Sequence, residues 1–134
     1  MEVPDETSVI TKEANCPEKV INFAPELIPF IQSGIKTVTY RLGTKYSYLK
    51  VGDKVEIREY GSVGLVAKAE IIFIEELPFE ELPLRYPGHE SYENKEHQRR
   101  VFNGYYYYTG RQIADKDSFL LIEFDLVNPA YTSD

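Results

Sequence analysis

Apolar residues in this sequence come in short bursts, separated by polar stretches that carry proline or glycine. Val20-Ile21-Asn22-Phe23 is an apolar run of strand length. Pro25 stands where a helix can begin, because its missing N–H is no loss in a first turn. Leu27, Ile28, Phe30 and Ile31 then form a helical stripe that Gly34 stops, and Pro29 inside it keeps that helix short. Thr37 to Arg41 is β-branched and aromatic, which predicts a strand. A Gly52-Asp53 turn precedes Val55-Glu56-Ile57-Arg58, which alternates inside and outside. A glycine-bearing hairpin loop at residues 60–64 leads into a long strand from Leu65 to Ile74, ended by Pro78. Phe79 to Leu82 is sized for one helical turn before Pro83. Val101, Phe102, Tyr105 and Tyr108 approximate one face of a helix over residues 91–107, and Gly104 weakens it. Ser118 to Val127 supplies the last strand, and Asn128-Pro129 closes the domain.

The order is strand, helix, several strands, helix, strand, with short connections and no repeated βαβ unit. It predicts an α+β fold, a closed or half-open small barrel with two or three short flanking helices, rather than a doubly wound sheet. Residues 1–18 are rich in Glu, Asp, Thr and Pro without a sustained period, and are expected to form a loosely held arm. The domain proper is then residues 19–128, with 129–134 as a tail.

With 134 residues and 43% apolar composition the chain has the size and material for one hydrophobic core. One cysteine, Cys16, allows no internal disulfide, which fits a reducing compartment. No apolar run approaches the roughly 18 residues of a membrane span. The polar N-terminal stretch lacks the basic-then-apolar pattern of a signal peptide. The expected location is the cytoplasm, with no membrane partner.

A net charge of −7 argues against a broad grip on duplex DNA, which needs a basic face. Yet Lys36, Arg41, Lys45 and Lys50 fall within fifteen residues, a local cationic site suited to a small anionic or polar ligand or a short single strand. The plainer reading is a solvated strand edge. Eleven tyrosines, four of them consecutive at Tyr105 to Tyr108, offer base stacking or, more ordinarily, core packing with wet hydroxyls. His89 and His97 lack ligand spacing with each other or with Cys16, so no metal and no other cofactor is expected.

Five landmarks in order, Gly34-x-Lys36-x-x-Thr39-x-Arg41, Gly52-Asp53, Ala67-Lys68-Ala69-Glu70-Ile71, Phe79-Glu80-Glu81-Leu82 and the closing Leu120 to Phe124 strand, make residues 20–127 resemble the ASCH family of the PUA-like superfamily. The resemblance implies a PUA-like barrel with a nucleobase-sized cleft that takes a nucleoside or short single-stranded RNA. One small bacterial branch of that family hydrolyses the acetamide of N4-acetylcytidine with a threonine nucleophile, a lysine and a glutamate. Another branch has been associated with ribonuclease activity. Carried over, the lysine is Lys36 and the threonine Thr39. The glutamate is Glu90, with Glu93 second. Arg41, Thr37, Tyr40 and Lys45 are the expected substrate contacts. The loop Tyr86-Pro87-Gly88-His89, the tyrosine run and the N-terminal arm depart from the branch.

Threonine attacks an amide only with a base beside it, and a lysine serves only where burial or a nearby cation lowers its pKa. On a regular strand Thr37, Thr39 and Arg41 share one face and Lys36 the other. Lys36 therefore meets Thr39 only if it lies in a turn after Gly34. The plain alternatives are a β-forming Thr39, an Arg41 paired with Asp53 or Glu56, and a Glu90 that caps the following helix. Two further functional readings stand beside the amidohydrolase: a non-catalytic module that binds RNA or a modified base, and a ribonuclease using His89 with Lys36.

Overall fold

The computed structural model describes residues 19–127, apart from 44 and 63, so the expected arm, the tail, Cys16 and the closing Asn128-Pro129 lie outside the described residues. Five strands form one mixed sheet: β1 (Val20–Phe23), β2 (Val38–Leu42), β3 (Lys54–Glu59), β4 (Leu65–Pro78) and β5 (Ser118–Leu126). Two helices flank it, α1 (Ile28–Gln32) and α2 (Lys95–Tyr105). Single 3₁₀ turns at Pro25–Leu27, Phe79–Glu81 and Tyr107–Thr109 complete the described elements. None of the described helices is long and apolar enough to cross a membrane.

The strand order is β1-β3-β4-β5-β2, parallel between β1 and β3 and antiparallel elsewhere. The expected barrel is not closed. β1 and β2 are the two edges and do not pair. The Arg41 side chain spans them: from β2 it donates to the Asn22 carbonyl of β1 at 2.8 Å. The Lys19 and Phe23 carbonyls accept from Glu56 and Tyr60 of the β3 side, so by alternation the Asn22 carbonyl points away from β3, toward the gap that Arg41 crosses.

Both faces of the sheet are covered. Leu120, Ile122 and Phe124 of β5 pack with Ile28 and Ile31 of α1 on one side. Phe119 and Leu121 pack with Phe102 of α2 on the other. This double burial explains why β5 reads as a nearly unbroken apolar run. β4 switches faces at an extra residue. Its register against β5 shifts between Ile71 and Phe73. Before the shift, Ala69 and Ile71 face the α1 side. After it, Ile74 faces that side and Leu77 the other, which only a one-residue bulge allows.

The helix expected over 91–107 begins at Lys95, where the Asn94 side chain accepts from the His97 N–H. Its end at Tyr105, followed by the turn at Tyr107–Thr109, reorients the tyrosine run.

Candidate functional site

The gap between the open edges of β1 and β2 is a cavity of about 610 Å³. Asn22 to Ala24 form one wall and Thr39 to Arg41 the other, with Lys36, His89, Glu90 and the tyrosines after α2 closing it.

Gly34 adopts a positive φ of 85°, and the N–H groups of Ile35 and Lys36 both bond to the Phe30 carbonyl at 2.9 Å. The chain therefore turns sharply before β2 starts at Val38, and Lys36 escapes strand alternation. Its side chain, 3% exposed, wraps the open edge of β2. The amine donates to the Val38 carbonyl at 2.7 Å and meets both Glu90 oxygens, at 3.2 and 3.0 Å. Burial holds its pKa below the ordinary 10.5; the Glu90 carboxylate pulls it back up, and the Arg41 charge adds to the lowering.

Thr39, 5% exposed, points to the α1 side of the strand. Its hydroxyl oxygen accepts from Arg41 Nε at 2.8 Å, which leaves its own proton to be donated elsewhere. Lys36 and Thr39 line one cavity, but no hydrogen bond joins them among the described residues. The Arg41 guanidinium lies 4.6 Å from the Phe23 ring centre and 5.4 Å from that of Tyr46. Its plain alternative partners are taken: Asp53 pairs with Lys19 at 2.9 Å, and Glu56 with Arg58. No carboxylate neutralises Arg41 among the described residues. Lys45 adds a second cation to the wall, 5.5 Å from the Tyr46 ring centre.

Tyr40 turns its ring away, into the packing under α2. The ring stacks on His89 at 3.9 Å and 12°, and its hydroxyl donates to the Pro83 carbonyl at 3.2 Å. Burial raises the pKa of that hydroxyl well above its usual value. Thr37, expected among the substrate contacts, is not on the cavity wall. It packs against Gly88, whose missing Cβ would stand 2.1 Å from its hydroxyl oxygen, and its N–H bonds to the Gly88 carbonyl at 2.9 Å. Glu90 does not cap α2, since Asn94 does. The second-choice Glu93 is exposed, with its N–H bonded to His97.

Sequence reasoning gave too little weight to His89. It lines the cavity, and its Nδ1 lies 2.9 Å from the Glu90 carbonyl. A carbonyl can only accept, so Nδ1 carries the proton of the neutral ring and Nε2 is bare. Burial, and then the charge of Lys36, lower its pKa from 6.5 to about 4. The forewarnings were the ribonuclease reading, which paired His89 with Lys36, and the unusual Tyr86-Pro87-Gly88-His89 loop. Three of the four consecutive tyrosines sit exposed at the cavity, Tyr107 and Tyr108 at 78% and 71% and Tyr105 less so, against the expectation of core packing. Tyr106 alone packs inward, against Phe119.

The structure is similar to that of an ASCH domain from Lactobacillus crispatus JV V101, with a TM-score of 0.60 and 15% identity over 90% of this chain and 86% of that one. It is similar also to a ZmASCH mutant protein from Zymomonas mobilis, with a TM-score of 0.55 and 21% identity over 84% and 75%. The fold is that of ASCH domains. A DUF984 protein from Enterococcus faecalis V583 shares it, with a TM-score of 0.62 and 18% identity over 83% of this chain and 76% of that one. No family model matches the sequence, and no curated protein does. On this ASCH fold the candidate site is therefore defined by its own geometry: two buried polar side chains, Lys36 and Thr39, brought to one hollow by a turn and an edge strand.

Proposed function

We propose that this chain is an ASCH-family amidohydrolase that removes an acyl group from a modified cytidine such as N4-acetylcytidine. The supporting observation is the convergence of a buried, Glu90-paired Lys36 and an Arg41-held Thr39 on one cavity of about 610 Å³, a volume ordinary for small-ligand sites.

Each group has a physical reason for its role. Arg41 at the Thr39 oxygen favours the alkoxide, because a positive charge stabilises developing negative charge in a shielded site. Lys36, held toward its neutral form by burial, takes the hydroxyl proton as the Thr39 oxygen bonds to the acyl carbon. The C–N bond then breaks, and the same amine returns the proton to the leaving exocyclic nitrogen. Water releases the acyl group from Thr39 in the mirror sequence. Glu90 keeps the amine aimed and accepts its hydrogen bonds whenever it is charged. The test is incubation with N4-acetylcytidine, with cytidine followed by chromatography. Turnover is expected, and Thr39→Ala is expected to remove it. An inert native protein, or an active Thr39→Ala variant, ends this reading.

A second reading, a non-catalytic module for short single-stranded RNA, is favoured by the exposed Tyr105, Tyr107 and Tyr108 beside Arg41 and Lys45. Stacking contributes about 1–3 kcal/mol per base. Titration with short RNAs tests it. Binding should weaken roughly tenfold in Tyr107→Ala, and affinity that ignores this change counts against it.

A further inference from the structure

The register of β2 decides which of its main-chain groups are free. The Phe124 N–H bonds to the Thr37 carbonyl at 2.9 Å, and the Gly43 N–H to the Ser118 carbonyl at 2.7 Å. Between them Thr39 faces Ile122 and Arg41 faces Leu120. In an antiparallel ladder one residue sends both N–H and C=O to its partner, and the next sends both the other way. Thr39 and Arg41 are thus paired with β5, while Val38, Tyr40 and Leu42 turn theirs to the open edge.

On either side of Tyr40, both Val38 groups and the Leu42 N–H are already covered. The Val38 N–H bonds to the Gly88 carbonyl at 3.1 Å, and the Val38 carbonyl receives the Lys36 amine. The Leu42 N–H bonds to the Tyr106 hydroxyl at 3.3 Å. The Tyr40 N–H and C=O have no hydrogen-bond partner among the described residues, although Tyr40 is only 5% exposed and lines the cavity. Main-chain groups so enclosed are almost always paired with something. The ring of Tyr40 is committed elsewhere, to His89 and Pro83.

We propose that the main chain of Tyr40, rather than its ring, is the recognition element of the cavity. It reads a planar ligand that carries a hydrogen-bond acceptor directly beside a donor, as a lactam, an amidine or the N3 and 4-amino edge of cytosine does. The proposal rests on the cavity being a nucleoside site, and adds how the base is held. A peptide strand laid along β2 would need free groups at every second residue. Gly88 and Lys36 close both groups at Val38 and Tyr106 closes the N–H at Leu42, so a strand cannot pair on either side and the opening suits a partner one residue wide. That excludes an added strand and fits a single heterocycle.

The experiment uses protein labelled with ¹⁵N-tyrosine, with the Tyr40 resonance assigned by its loss in Tyr40→Phe. In the free protein the Tyr40 amide should exchange with solvent at least about tenfold faster than the β5-paired amides of Thr39 and Arg41, measured on uniformly labelled protein. Cytidine and uridine should shift it and slow its exchange. 3-Methyluridine, whose methyl group blocks the edge, should leave it unmoved and bind about tenfold more weakly, the worth of a lost hydrogen-bond pair. A free-state amide as protected as its neighbours, nucleoside binding that leaves Tyr40 unmoved, equal binding of 3-methyluridine, or no nucleoside binding would each overturn the proposal. Hydrolysis of N4-acetylcytidine with a silent Tyr40 removes this inference and keeps the reaction. A responding Tyr40 without hydrolysis does the reverse.

Discussion

Lys36 is an amine held by protein rather than by water, and its two neighbours act on it in opposite directions. Burial lowers its pKa and Glu90 raises it. On the proposed reaction the neutral form is the base, so the rate rises with pH as Lys36 loses its proton. Glu90→Gln removes the raising partner. The rising limb of the pH–rate profile is therefore expected to move to lower pH in that variant, with a smaller maximum because the amine is no longer aimed. A limb that stays put or moves upward contradicts this assignment.

His89 gives a stability test that needs no substrate. Its pKa is about 4 folded and 6.5 in its unperturbed state. Between these values the unfolded chain binds more protons, so stability falls as pH drops from 6.5 toward 4 and levels off below. Thermal unfolding across that range should show the decline, and His89→Gln should flatten it. The unfavourable burial of His89 was not legible in order or spacing, and Lys36 and Glu90 were named together only through the family resemblance, because both features depend on a loop that comes from 54 residues away. Lys36 in a turn after Gly34 was legible, since glycine is the residue that adopts φ near 85° without strain.

At the level of elements, that distant loop is pinned to the start of β2. The Gly88 carbonyl accepts from both Thr37 and Val38. Gly88 also has a φ of 88° and no space for a Cβ against the Thr37 hydroxyl. Gly88→Ala is expected to lower the melting temperature by about 5 °C or more, from left-handed strain of roughly 1–2 kcal/mol before any clash. It should also reduce turnover by displacing Glu90 from Lys36. A variant with unchanged melting temperature would mean the loop is held by something else.

The strands themselves were readable from alternation and punctuation. Val20–Phe23 matches its apolar run, and β5 its dense one. The start of α2 was not, because Asn94 caps it, and Tyr92, inside the expected helix, is buried in the loop that precedes it. Nor was the exposure of Tyr107 and Tyr108. A helical period would have carried Tyr108 onto the buried face, but the helix stops at Tyr105.

Over the whole molecule, the question that sequence order left open was closure. Strand count and short connections suit a barrel as well as a curled sheet, and the difference lies in whether β1 and β2 pair. They do not, and Arg41 takes the place of a ladder with two bonds from one planar fork. Arg41→Lys keeps the charge and loses the fork. It is expected to destabilise the fold by about 1–2 kcal/mol in denaturant unfolding and to release the Thr39 hydroxyl. Global charge sets a further expectation. With a net charge of −7 and, among the described residues, only Arg41 and Lys45 as cations on the cavity wall without a carboxylate partner, single-stranded RNA can meet few phosphates. The slope of log affinity against log salt should be about −1 to −2. A much steeper slope would place the contact on another surface.

Because the two unpaired strand edges look at each other across an arginine, neither is offered to a neighbouring molecule. Exposed edges are the usual seeds of strand-on-strand growth into fibrils. Here they are turned inward, so a sheet left unclosed for the sake of a hollow is still shielded from aggregation by its own curl.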